Sequence, residues 1–322
     1  MARYIRVSTI AYQPVERGDD WMGRTRKKMA DLLKEAARAK PDVVCFPEFC
    51  NVLGLGDEAY EFAEPIPGPT SDVIARIAKR HKMYVVLPIP ERDGDRLYNT
   101  AAFIDRNGEI LGKYHKFQPT IGEMEKGIVP GVDAEVFDAD FGPVGAAICF
   151  DMKFIEVGQR LAANGARLVF FPSMFIAGQR LLHWARDFGF YIVSSCPARS
   201  YIVDMAGRFL AQTGREINQV AAGLVPPIAS AVINMDRCLF HLDQNQNRLP
   251  DINKKYGPGV EVEIHYPEAH FTLASTMKDV TVEDIIEEFD LEPWRDYLNR
   301  ARKVRDRMLK RAARRRRAGK KT

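Results

Sequence analysis

The stretch Gly142-Pro143-Val144-Gly145-Ala146-Ala147-Ile148-Cys149-Phe150-Asp151 decides how this chain folds and where its chemistry lies. Pro143 to Ile148 is a short apolar run suited to a buried strand. Phe154 to Ala163 then carries apolar residues at helical spacing and stops at Asn164-Gly165. Cys149 therefore stands on a strand-to-helix turn. Further on, Leu168 to Phe171 reads as a strand, Leu181 to Phe188 as a helix, and Tyr191 to Ser195, Tyr201 to Asp204 and Ala229 to Met235 as strands. Before the stretch, Tyr4 to Tyr12 is strand-like, Trp21 to Ala39 helical, and Val43 to Phe46 a buried strand stopped by Pro47. Thr70 or Ser71 can cap a helix that runs to about Lys82, and a strand at Met83 to Ile89 follows. Leu97 to Asp105 and Glu109 to His115 form a hairpin pattern around Asn107-Gly108. Alternating short strands and amphipathic helices, with no repeat at a fixed period, predict an α/β fold.

The chain has 322 residues, enough for one large domain with an appendage. Its 46% hydrophobic and 28% charged content excludes global disorder and collagen-like architecture. No apolar run is long enough for a membrane span, and Met1 to Asp20 lacks the order of a signal peptide, so a cytoplasmic location is expected. Five cysteines without CxxC spacing (Cys45, Cys50, Cys149, Cys196, Cys238) argue against a disulfide framework or structural zinc. The six histidines show no metal-ligand spacing, and Gly54-Leu55-Gly56-Asp57-Glu58-Ala59 does not lead from strand to helix as a dinucleotide fingerprint must. The net charge of +4 conceals a division. Residues 295–322 hold 14 Lys and Arg against two acids, a net +12, which leaves the other 294 residues at −8. After about Asp236 a polar stretch through Gly259 reads as loop or extended arm. Thr281-Val282-Glu283-Asp284 then resembles a capping box, and Glu292 to Ala313 a basic helix that frays into Arg314 to Thr322.

Three segments place one reactive side chain where an apolar strand ends: Phe46-Pro47-Glu48-Phe49, Tyr114-His115-Lys116-Phe117 and Ile148-Cys149-Phe150-Asp151. A thiol needs a base and a positive surround to attack at neutral pH, and Glu48 and Lys116 can supply them. The oxyanion formed by attack on a planar carbonyl can be met by Lys116 and the backbone N–H of Phe150.

In this order the three segments resemble the Glu-Lys-Cys signature of the nitrilase superfamily, the carbon–nitrogen hydrolases. The resemblance covers about residues 3–237, with residues 238–322 as a C-terminal extension. It extends to Gly142-Pro143-Val144-Gly145 and to Glu156 with the helix end Arg160 to Ala166. It implies a four-layer α-β-β-α sandwich, with Cys149 as nucleophile, Glu48 as general base and Lys116 as stabiliser of the tetrahedral intermediate. In Glu125-Lys126-Gly127-Ile128-Val129-Pro130-Gly131, Glu125 matches the family's second glutamate, with Glu123 two residues earlier as the alternative. No metal or organic cofactor is implied, and a homodimer or larger homo-oligomer is.

True nitrile hydrolysers of the family have Trp-Glu after the Cys. Phe150-Asp151 looks more like the amidase and carbamoylase branches, so a linear amide or N-carbamoyl compound is the expected substrate, with nitrile hydrolysis as the alternative. A rival from another class is an inactive scaffold that binds nucleic acid through Arg314-Arg315-Arg316-Arg317 and Lys320-Lys321. Two departures from the family pattern, Ser194-Ser195-Cys196 and Asp187-Phe188-Gly189, are expected at the pocket wall.

Overall fold

A computed structural model of the chain describes residues 4–214, 223 and 226–318, with the side chains of Asp57 and residues 314–318 outside the description. Contacts divide it into two units, one ending at Met235 and the other beginning at Asp236.

Among the described residues the first unit holds two six-stranded sheets. In spatial order, sheet one is β12 (Ile228–Asn234), β1 (Tyr4–Ile10), β2 (Val43–Cys45), β3 (Tyr84–Asp93), β4 (Arg96–Ile104) and β5 (Ile110–His115). Sheet two is β11 (Phe209–Thr213), β10 (Ser200–Val203), β9 (Tyr191–Ser195), β8 (Leu168–Pro172), β7 (Gly142–Ala146) and β6 (Val136–Ala139). In sheet one β1, β2 and β3 run parallel, joined by α1 (Trp21–Ala37) and α2 (Pro69–His81). In sheet two β7, β8 and β9 run parallel, joined by α4 (Ile155–Ala163) and α5 (Gln179–Phe188); α3 (Ile121–Glu125) lies between the two sets. Each parallel set continues into two antiparallel strands, and each gains an antiparallel neighbour on its first strand. One topology thus occurs twice in a chain whose sequence shows no repeat period.

The apolar faces of α1 and α2 (Met29, Leu33, Ile74, Ile77, Ala78) cover sheet one together with Val44, Val85 and Leu87. Between the sheets, Phe103 packs edge-on against Phe170 at 5.9 Å, the Thr9 hydroxyl donates to the Ser194 carbonyl at 2.7 Å, and the Ser195 hydroxyl donates to the Ile10 carbonyl at 2.7 Å. With α4 and α5 on the far side of sheet two, this is the expected four-layer α-β-β-α sandwich. The hairpin also forms as expected: Asp105 Oδ1 accepts from the Asn107 and Glu109 N–H groups, and Gly108 takes a φ of +78°. The cap of α2 differs from expectation. Gly68 is the N-cap, and the Ser71 hydroxyl accepts from its N–H at 2.7 Å.

The departures expected at a pocket wall have other work. Ser194 and Ser195 form the seam between the sheets, Gly189 caps α5 in the left-handed region, and Asp187 lies on the exposed face of that helix.

The second unit corrects the reading of residues 236–259 as loop. β13 (Arg237–His241) pairs with β15 (His270–Ser275), which pairs with β14 (Val260–His265), and α6 (Leu249–Tyr256) lies within the supposed arm. Polar residues there close backbone bonds. The Asn245 amide donates to the carbonyls of His241 and Glu292, and its oxygen accepts from the Glu292 N–H. Phe240, Ile252, Phe271, Leu273, Val282 and Ile285 fill the core. α7 (Val282–Glu288) opens with the expected capping box, and α8 (Trp294–Ala318) runs past Ala313 because no residue before Gly319 breaks a helix. Residues 319–322, where fraying was expected, lie outside the described residues. Among the described residues no helix is long and apolar enough to cross a membrane.

Thr281 Oγ1 accepts from the Asp284 N–H at 3.1 Å, and Asp284 Oδ2 accepts from the Thr281 N–H at 2.7 Å. Thr281→Ala should therefore reduce the protection of α7 amides by about 1 kcal/mol, roughly fivefold in hydrogen exchange. Unchanged protection would show that packing of Val282 and Ile285 alone sets the helix.

Candidate active site

Strand geometry delivers the three expected residues to one place. β2 ends at Cys45, and the next segment stays pinned to β3, the Phe46 N–H donating to the Val86 carbonyl and the Cys50 N–H to the Pro88 carbonyl, both at 3.1 Å. Between these anchors Glu48 turns inward, 1% exposed, and Phe49 takes a φ of +55°. Lys116, 2% exposed, follows β5, with its N–H on the Asn99 carbonyl at 2.8 Å and its carbonyl accepting from the Gly131 N–H at 2.9 Å. Gly131 is needed there, because a Cβ would stand 2.2 Å from the His115 carbonyl oxygen. Cys149 follows β7 at a φ of +49°, a conformation that costs a non-glycine residue energy and recurs where a side chain must be presented.

The Lys116 ammonium lies 3.1 Å from Glu48 Oε1 and 2.9 and 3.2 Å from the oxygens of Glu123. Glu125 was expected to take this second place. Instead it is exposed on α3, and Glu123 faces inward. The reason is local. Thr120 and Glu123 form a capping box in which the Thr120 N–H donates to Glu123 Oε2 at 2.6 Å and the Glu123 N–H to the Thr120 hydroxyl at 3.2 Å. That turns the third helical position, and not the fifth, toward Lys116. The spacing Thr120-x-x-Glu123 is itself a capping signature, so the sequence held a signal that separated the two glutamates.

Sequence reasoning did not reach four further residues. The Tyr60 hydroxyl donates to Glu123 Oε1 at 2.7 Å. The Asn99 amide donates to Glu48 Oε1 at 2.8 Å and to Glu123 Oε1 at 3.1 Å. The Met174 N–H donates to Glu48 Oε2 at 3.0 Å. Asp151, wholly buried, accepts at one oxygen from the Gln118 N–H at 2.7 Å and at the other from the Tyr114 hydroxyl at 2.7 Å and the Ile148 N–H at 2.8 Å. Tyr60, Asn99 and Met174 lie outside the three strand-end segments, so no spacing reveals them; Asp151 lies within the third segment but was read only as part of a family signature.

The electrostatics follow from burial and charge. Burial alone would lower the Lys116 pKa, but Glu48 and Glu123 together hold it above the ordinary lysine value. Burial works against ionisation of Glu123 too, yet Lys116, Tyr60 and the Thr120 N–H carry it below the usual carboxylate range. Burial pushes the Cys149 thiol up, and Glu48 pushes it further, to about 12, against the pull of Lys116, the Met174 N–H and the Ser173 hydroxyl. The resting group is therefore a thiol beside an ion cluster. Burial likewise raises Asp151 to about 6 despite three donors.

Phe150 sits directly after Cys149 in a 3-10 turn over Cys149–Lys153, its ring edge-on to Phe154 at 5.2 Å. The first N–H groups of such a turn have no partner within it. α4 follows as expected, Ile155–Ala163 with Phe154 as its N-cap, so this turn lies between the sulfur and that helix.

A carbon-nitrogen hydrolase family model matches residues 22–227. Among similar proteins, the omega-amidase NIT2-B of Xenopus laevis is 30% identical over 225 residues, covering 61% of this chain and 81% of that protein. Human omega-amidase NIT2 is 27% identical over 267 residues, 74% of this chain and 92% of its own length. Saccharomyces cerevisiae Nit3, a member of branch 10 of the nitrilase superfamily, shares the fold at a TM-score of 0.62 and 23% identity, covering 72% of this chain and 90% of that one. An amidase from Nesterenkonia sp. does so at 0.61 and 18% identity, covering 78% and 96%. The likeness in sequence and fold, spanning the strands that carry Glu48, Lys116 and Cys149, places this chain in the carbon–nitrogen hydrolase family.

Proposed function

We propose that the protein hydrolyses a linear amide through a Cys149 thioester, with Glu48 as base, Lys116 and the Phe150 N–H as oxyanion donors, and Glu123 in the place expected for Glu125. The observation that carries this reading is the buried cluster in which one ammonium holds two carboxylates beside a thiol. A scaffold that only binds has no use for a buried acid and a buried lysine joined by a second, partly buried acid, since desolvation costs several kcal/mol per buried ion. The relatives named omega-amidases favour an amide over a nitrile, and a terminal carboxamide over an N-carbamoyl group.

The chemistry follows the charges. Glu48 takes the Sγ proton as sulfur attacks the carbonyl carbon, since a thiol with a pKa near 12 is not ionised beforehand. The oxygen gains negative charge beside Lys116, which its carboxylates keep protonated. The C–N bond breaks, Glu48 returns the proton to nitrogen, and ammonia leaves. Water then gives a proton to Glu48 and adds to the thioester, and collapse releases the acid and restores the thiol. The family also implies assembly into a homodimer or larger homo-oligomer, which light scattering on the full chain would measure.

A panel of short amides, N-carbamoyl compounds and nitriles, assayed for ammonia and acid, should give turnover on amides; turnover on nitriles alone would overturn the reading. Cys149→Ala should abolish turnover, and Glu48→Gln, Lys116→Ala and Glu123→Gln should each lower kcat on the order of 10² to 10⁴ with the fold retained. Glu125→Gln should stay near wild type. A slow Glu125 variant beside a normal Glu123 variant would reverse that assignment.

Because the Glu48 charge raises the thiol pKa, Glu48→Gln should bring Cys149 ionisation below about 12 while removing turnover. Absorbance of the thiolate against pH, with Cys149→Ala as the blank, measures this. An unmoved midpoint would show that Glu48 does not face the sulfur.

A further inference from the structure

Asn99 stands on β4, 1% exposed, and its two sides are treated unequally. Its nitrogen donates to Glu48 Oε1 at 2.8 Å and Glu123 Oε1 at 3.1 Å, the same two oxygens that Lys116 Nζ approaches at 3.1 and 3.2 Å. The four groups close a ring of alternating donors and acceptors. This fixes the orientation of the amide, because the reversed form would set its oxygen against two carboxylates. Its Oδ1 is buried and makes no hydrogen bond among the described residues. A buried acceptor left unmatched costs stability, so the residue is held for its donors.

The ring occupies Glu48 Oε1 from two directions. Glu48 Oε2 accepts from the Met174 N–H, which also bears on the Cys149 sulfur. We propose that Asn99 is a positioning residue that, together with Lys116, reserves Glu48 Oε1 and so leaves Oε2 as the oxygen that receives the Cys149 proton, while holding Glu123 apart as a permanent anion. This rests on Glu48 being the base. A neutral amide suits the position because Lys116, Tyr60 and Cys149 already face the two glutamates, and a further negative charge there would favour a proton in the cluster.

The test does not need the natural substrate. Full-length wild type, Asn99→Ala, Asn99→Asp and Glu48→Gln are alkylated with iodoacetamide from acid to neutral pH, and Cys149 modification is followed by peptide mass, with melting curves as a check on folding. The limb of the pH profile set by the base should vanish in Glu48→Gln. Loss of a donor weakens the hold on that carboxylate, so Asn99→Ala should displace the same limb. It should also lower the neutral rate on the order of 10²-fold, the usual cost of a misplaced group. Asn99→Asp, which keeps the shape and adds a charge, should move the limb at least as far, and it decides the matter if the alanine variant does not fold. A limb that stays put in folded Asn99 variants but disappears in Glu48→Gln would overturn the proposal alone. A limb that survives Glu48→Gln would remove Glu48 as base, and the proposal with it.

Discussion

The active-site geometry depends on one buried carboxylate that takes no part in the proposed chemistry. Asp151 receives hydrogen bonds from Tyr114 and Gln118, two residues either side of Lys116, and from Ile148, the residue before Cys149. A single side chain thus joins the end of β5 in one sheet to the turn after β7 in the other. Three donors to one buried acid tie the Cys149 turn to the Lys116 segment more directionally than apolar contact between the sheets could, since hydrogen bonds are directional and packing is not. The strained φ of Cys149 is tolerable because the carboxylate two residues later holds the turn from inside.

The second constraint is charge balance. Burial first, and the Glu48 charge after it, hold the Cys149 thiol up against the pull of Lys116. A free thiolate would be a standing target for oxidants and electrophiles; in the proposed mechanism nucleophilicity arises only as a substrate carbonyl draws the proton toward Glu48. Glu48 and Glu123 hold Lys116 above the ordinary lysine value, so in that mechanism the oxyanion would meet a positive charge already in place.

Much of this was legible in sequence because it rests on short-range rules. An apolar run closed by Pro47, a hairpin at Asn107-Gly108 and a strand that ends in Cys149 each follow from local chemistry, and they place the three reactive residues. What escaped depends on tertiary placement. Asn99 lies mid-strand in an unremarkable Tyr-Asn-Thr run, and only the arrival of β2 and α3 on its side of the sheet gives it two glutamates. The exchange of Glu125 for Glu123 turns on helix phase, where two residues reverse the outward face. Residues 236–259 were misread because the Asn245 side chain closes backbone bonds there, work that composition cannot distinguish from solvation.

The closing of sheet one by β12 has a consequence for how the molecule is made. Tyr4 pairs with Asn234 and Ile10 with Ile228, so the first strand of the chain waits for almost the last strand of the hydrolase unit. During synthesis β1 presents an open edge until both parallel sets have emerged, and such edges invite pairing with other chains. Joining ends so far apart in sequence also makes the final step slow relative to assembly of either half.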